Sequence, residues 1–129
     1  MKNKFIPVLA LLVFIFGVSS AVAEEKILNK EEAMALFKDK TFDGYQEVKE
    51  KNFKVYSAPD GKHTVVFENG KTIHRFWSID DDGKHCVSKR KTKKGRCSVV
   101  KSMGDGVYHK ITKGEHTHTL KNFRDGDQL

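Results

Sequence analysis

The stretch Lys71-Thr-Ile-His-Arg-Phe-Trp-Ser-Ile-Asp-Asp-Asp-Gly-Lys-His-Cys86 decides the fold. Its first half is dense in β-branched and aromatic residues and reads as a strand, and Asp80-Asp81-Asp82-Gly83 then reads as a turn. Immediately upstream, Lys62 to Glu68 is a second strand, and Asn69-Gly70 between the two is the strongest short-range hairpin signal. Read as a two-residue turn, Asn69-Gly70 pairs Glu68 with Lys71, Val66 with Ile73, Thr64 with Arg75 and Lys62 with Trp77. One face then holds Val66, Ile73, Trp77 and Ile79, and the other His63, Val65, Phe67, His74 and Phe76. Both faces are partly apolar, which predicts a sheet covered on both sides. Beyond the acidic turn Cys86 returns towards Trp77, which predicts an indole packed on a disulfide.

Working outward, the same grammar repeats. Thr41 to Tyr45, Asn52 to Ser57, Lys84 to Ser88, Cys97 to Lys101, Val107 to Thr112 and Glu115 to Leu120 are strand-like, with Pro59-Asp60-Gly61, Gly104-Asp105-Gly106 and Lys113-Gly114 between them. Eight short strands joined by tight turns pair with their sequence neighbours. The expected architecture is an antiparallel up-and-down meander that closes wholly or partly into a small barrel and so removes exposed edges. Ahead of it, Asn29-Lys30-Glu31-Glu32 reads as a capped helix start, with Leu28 placed to staple the first turn. Ala33, Met34, Leu36 and Phe37 give an apolar face over about Lys30 to Lys38. So short a helix must dock on the sheet. The tail from Asn122 to Leu129 is expected to be ordered only near Phe123.

The first residues read as an export signal. Lys2 and Lys4 precede an uncharged apolar run from Phe5 to Val18, and Ala21-Val22-Ala23 is an A-x-A cleavage site before Glu24. The apolar run is shorter than the roughly 20 residues a spanning helix needs, so no transmembrane segment is expected in the mature chain. Residues 24–129 form one domain, too small for a second. The signal carries two of the 24 Lys and Arg and none of the 17 acids, which leaves the mature chain at +5. Export to the periplasm or beyond makes pairing of Cys86 with Cys97 the expected state. Closing a loop of about a dozen residues contributes roughly 3 kcal/mol in the chain-entropy description.

Two constellations carry chemistry. With Lys113-Gly114 as a two-residue turn, His109 faces His118 and Ile111 faces His116, so His109, His116 and His118 share one face. Three imidazoles so placed suit Zn²⁺, Cu²⁺ or Ni²⁺; the alternative is a set of polar positions at a barrel mouth. Between the cysteines, Lys89, Arg90, Lys91, Lys93, Lys94 and Arg96 form a positive loop able to attract phosphates, lipid head groups or an anionic envelope surface. The alternative is a solvated loop restrained by the disulfide. The loop has no aromatic residue on which a base could stack, and nucleic acid is not an expected partner. No Gly-x-Ser-x-Gly, His-Glu-x-x-His or Gly-rich phosphate loop occurs, so no enzyme is expected.

The helix leading into Leu36-Phe37-x-x-x-Thr41-x-x-Gly44, then Tyr56-x-x-x-Asp60-Gly61, then Trp77 with Cys86 nine residues on, Cys97 and Gly106-Val107-Tyr108 carry a resemblance. In this order the chain resembles a family of small exported bacterial proteins of unknown function with a lipocalin-like, calycin-type β-barrel. The resemblance implies a barrel and an exported location, and it brings no activity with it. The combined expectation is an exported binding or envelope-interaction module without enzymatic activity. It would hold a small ligand inside the barrel or an anionic surface at the basic loop, with a transition-metal protein as the second reading.

Overall fold

Asn29 starts the only helix among the described residues, α1 (Lys30–Phe37), through a reciprocal capping box. Its side chain accepts from the Glu32 amide at 2.9 Å, and the Glu32 carboxylate accepts from the Asn29 amide at 3.0 Å. Leu28 and Ala33, at the two staple positions, are both buried. The helix ends where Lys38 turns extended, its amide held by the Met34 carbonyl. Asp39 then takes a left-handed φ of 55° and feeds the chain into the sheet. Two turns of helix are marginal alone. This one is fixed by Phe37, which is fully buried among Phe42, Trp77, His85 and Phe123.

The computed structural model describes residues 24–129, and the expected export signal lies outside the described residues. The strands are β1 (Lys26–Ile27), β2 (Lys40–Gln46), β3 (Lys51–Ser57), β4 (Lys62–Phe67), β5 (Thr72–Ile79), β6 (His85–Ser88), β7 (Arg96–Gly104), β8 (Val107–Thr112) and β9 (Glu115–Asp125). Strands β2 to β9 pair antiparallel in sequence order, and β9 returns to pair with β2. The result is a closed eight-stranded up-and-down barrel, the complete form of the meander expected from the spacing of strands and turns. The two-residue β1, absent from the sequence reading, adds outside it on β7 through Lys26 to Ser102 and Ile27 to Lys101.

Successive turns alternate between the two ends of the barrel. Helix α1 lies at one end, where Lys30 bonds Asp81 at 2.9 Å and Gly83 lies against the Leu28 carbonyl. Gly83 has φ 85° and leaves no room for a Cβ, so the acidic turn and the helix start dock as one unit. The other end carries the turns after β2, β4, β6 and β8. The core below it includes Phe42, Val55, Val65, Trp77, Val100 and Leu120.

The β4–β5 hairpin is one residue out of the expected register. Val65 pairs with Ile73 and His63 with Arg75, so the loop is the three-residue Glu68-Asn69-Gly70. The Asn69 side chain accepts from the Lys71 amide at 2.9 Å and Gly70 takes φ 87°, the left-handed residue of a bulged turn. One residue of slip exchanges faces. His63, Val65 and Phe67 therefore join Ile73, Arg75, Trp77 and Ile79 inside, while Val66, His74 and Phe76 face out.

Two further expectations are corrected. Trp77 pairs with Val87 and points inward, its Nε1 donating to the Ala58 carbonyl at 2.9 Å. Cys86 pairs with Ser78 on the outer face, so the indole does not pack on the disulfide. The tail is held beyond Phe123: β9 runs to Asp125, and Thr41 Oγ1 donates to the Gly126 carbonyl and accepts from the Gln128 amide. The Cys86–Cys97 disulfide itself is present, joining directly opposed residues of β6 and β7.

Candidate functional site: the cavity of the barrel

The barrel is hollow. A cavity of about 590 Å³ opens at the end away from the helix, within the roughly 300–1,000 Å³ of small-molecule sites. Val55, Val65, Phe67, Ile73, Val87 and Leu120 supply apolar wall. Phe53 adds its ring, which lies over the face of Gly44 where any larger residue would overlap it. The wall is incomplete at one place. Strand β6 is only four residues long and pairs with Phe76 to Ile79, so the Thr72 to Arg75 half of β5 has no partner on that side. Arg75, Val87, Lys89 and Arg96, which flank this notch, all line the cavity.

The lining is electrostatically one-sided. Five of its residues are basic, Lys49, Arg75, Lys89, Arg96 and Lys110, and none is Asp or Glu. With 17 acids in the chain this is a pronounced segregation. Lys110 pairs with Val100 and His118 in the wall and points inward with Val100, which is fully buried. Loss of water lowers its ammonium to about 8, with no carboxylate to oppose the effect. No ion pair reaches Lys110, Arg75, Lys89 or Arg96 among the described residues.

Three histidines face the same space. His85 is 1% exposed, stacked on Phe37 at 4.1 Å between ring centroids, and neither ring nitrogen has a partner. His63 is 6% exposed with an unpartnered Nδ1, its ring 5.8 Å from that of His85. Burial, reinforced by the Lys110 charge, holds His63 down at about 3, His118 at about 4 and His85 well below its ordinary value. At neutral pH all three are uncharged imidazoles, each able to donate one N–H.

The expected metal face does not assemble. Thr112 pairs with Glu115 and Ile111 with His116 as the turn predicts, with Lys113 at φ 52° and Gly114 at φ 81°. A bulge then inserts Thr117, so Lys110 pairs with His118 and His109 with Thr119. Thr117 Oγ1 fixes it by donating to the Lys110 carbonyl at 3.2 Å. His118 is thereby turned into the cavity, while His109 and His116 remain outside, stacked at 3.7 Å. His116 Nε2 is occupied by the His118 carbonyl at 3.0 Å and Thr119 Oγ1 at 2.9 Å. Among the described residues only Asp80, Cys86 and Cys97 cluster as candidate ligands, and both of those sulfurs are committed to the disulfide.

The basic loop is divided by the structure. All six cations are exposed, and Lys89 and Arg96, at its two ends, line the cavity. Lys91, Lys93 and Lys94 lie along the outer face beside Asp60 and Phe76, with Lys94 3.3 Å from Asp80. The sequence reading missed Lys110, His63, His85 and Arg75. In β8 the apolar residues Val107 and Ile111 alternate with Lys110, and a period of two places Lys110 on the solvent side. Only the β7 pairing, which sets Lys110 opposite Val100, shows the reverse. No helix among the described residues is long and apolar enough to cross a membrane.

Comparison of the chain with family models, curated proteins and solved structures returns no match. The chemistry of the cavity alone therefore speaks to its use.

Proposed function

We propose that the chain is an exported, periplasmic binding module of lipocalin-like type that holds a small ligand inside its barrel and does no catalysis. The observation that carries this reading is the open cavity of about 590 Å³ with an apolar wall, in a domain of only about a hundred residues. Small cores are ordinarily filled to crystal-like density, and a hollow one forgoes packing contacts that a bound guest restores. Export is supported by the cleavage pattern at Ala21-Val22-Ala23 and by a disulfide, which oxidising compartments maintain. Lys89 and Arg96 make the mouth positive, so the interior and the basic loop act as parts of one site.

A neutral environment-sensitive fluorophore, N-phenyl-1-naphthylamine, tests the reading. The wild-type protein is expected to enhance its emission saturably at one site per chain. Ile73→Trp, which fills the cavity from the rim, is expected to abolish the enhancement while the thermal transition is retained. A wild-type protein that gives no saturable signal rejects the proposal.

A further inference from the structure

We propose that the cavity receives an amphipathic anion, its charged head buried beside Lys110, His63 and His85 and its apolar tail running past Val65, Phe67 and Ile73 towards the mouth. This rests on the barrel interior being a binding cavity and goes further, to the class of guest.

The argument begins with what the empty cavity leaves unsatisfied. Buried polar atoms have hydrogen-bond partners in about nine cases of ten. Here two neighbouring buried rings leave three nitrogens without one, both of His85 and Nδ1 of His63. In the same lining, Lys110 holds an ammonium whose charge acts on both rings, and the lining contains no carboxylate. A charge without a counter-charge in such surroundings is disfavoured. An anionic head relieves both deficits together, accepting from the ammonium and from the one N–H that each neutral imidazole offers, in short, charge-assisted bonds.

The same residues exclude the other classes. A metal cation would meet the Lys110 ammonium, Arg75 and Arg96 with no acidic ligand in the lining. A neutral amphiphile would leave the ammonium unpaired, and an alkylammonium would be repelled. A small inorganic anion would satisfy the head site but leave the apolar wall wet. The rim cations Arg75, Lys89 and Arg96 raise the local concentration of anions at the notch that leads inward. Fatty-acid carboxylates and alkyl phosphates both have this chemistry.

Displacement of N-phenyl-1-naphthylamine at pH 7 by decanoate, decyl phosphate, decanol and decylammonium tests the proposal and separates the two head groups. At least one of the two anions is expected to displace the probe at about tenfold lower concentration than decanol, the factor a charge-assisted bond supplies. Decylammonium is expected to be the weakest. In Lys110→Met, which keeps the length of the side chain, anion and alcohol are expected to converge. Lys113→Met, on an exposed turn, is expected to keep the wild-type order. Equal displacement by decanol and both anions in the wild type overturns the anion assignment and leaves the cavity reading intact. Failure of all four to displace a bound probe also overturns the assignment, while failure of the probe itself to bind overturns the cavity reading. Because the wild-type ranking is decisive by itself, the test does not depend on the folding of any variant.

Discussion

Gly44 shows how much of this site depends on single side chains. It is an inward position on β2, and its missing Cβ is where the Phe53 ring lies. Any larger residue drives the ring into the cavity or out of the wall. Gly44→Val is therefore expected to lower the unfolding free energy by about 1–3 kcal/mol, as overpacking of a close-packed contact does, and to weaken probe binding. Urea denaturation monitored by Trp77 fluorescence measures the first effect, and an unchanged midpoint would show that Phe53 has another place to go. Lys110 illustrates the opposite relation, a residue whose native position opposes stability. Its place in the wall was not legible in the sequence, because the alternation of β8 favours Val107 and Ile111 as the inner set. The actual inner set, Tyr108, Lys110 and Thr112, is fixed by pairing with β7 and β9, which no local pattern encodes.

Most of the elements were legible. The helix start at Asn29 and all eight barrel strands were readable from turn residues and alternation, since each is specified within a few residues of chain, whereas full closure rests on the distant pairing of β9 with β2. Register was the weak link, and it failed where an extra residue was absorbed. Glu68 entered the β4–β5 loop, its side chain accepting from the Asn52 amide at 3.1 Å, and Thr117 bulged out of the β8–β9 ladder. Each event moved a histidine: His63 came inside by the first, His118 by the second. The Cys86–Cys97 bridge acts at this scale too. It spans a separation of 11 residues and ties the short β6 to β7. Replacing both cysteines with serine is expected to cost about 3 kcal/mol, read as a lower midpoint in chemical denaturation. Because β6 pairs through so few residues, hydrogen exchange in His85 to Ser88 is expected to quicken more than in β2 or β3. A uniform rise across all strands would count against this account.

At the scale of the whole molecule, the barrel interior is a place that prefers uncharged groups. His63 and His118 fold with pKa values of about 3 and about 4 against 6.5 for an exposed imidazole, and His85 is depressed as well. Between those values the unfolded chain binds more protons than the native one, so stability rises with pH across that window and is lost as pH falls through it. The groups facing these rings, Lys110 from β8, Arg75 from β5 and Arg96 from β7, are cationic and oppose the imidazolium forms, and only Glu47, from the turn after β2, partly offsets this at His118. The empty protein is therefore expected to melt progressively lower from pH 6.5 to pH 5.5, above the range in which most ordinary carboxylates titrate. Thermal melts in a single buffer series at fixed ionic strength read this, and a flat profile would mean that the histidines are hydrated in the empty barrel. Lys110 follows the same rule at the other end: with the group at about 8 when folded and 10.5 when exposed, stability rises again with pH between those values.

The halt of β6 at Ser88 has a kinetic side. The wall beside Thr72 to Arg75 has no ladder on that side, so movement of the flanking loop opens it with no backbone pair of β5 broken. Loop motions take nanoseconds to microseconds, whereas small domains commonly unfold over seconds to days. A guest can thus exchange many times within the lifetime of one folded molecule. Exchange through the notch needs no melting of the container, because the ladders of the other strands stay closed.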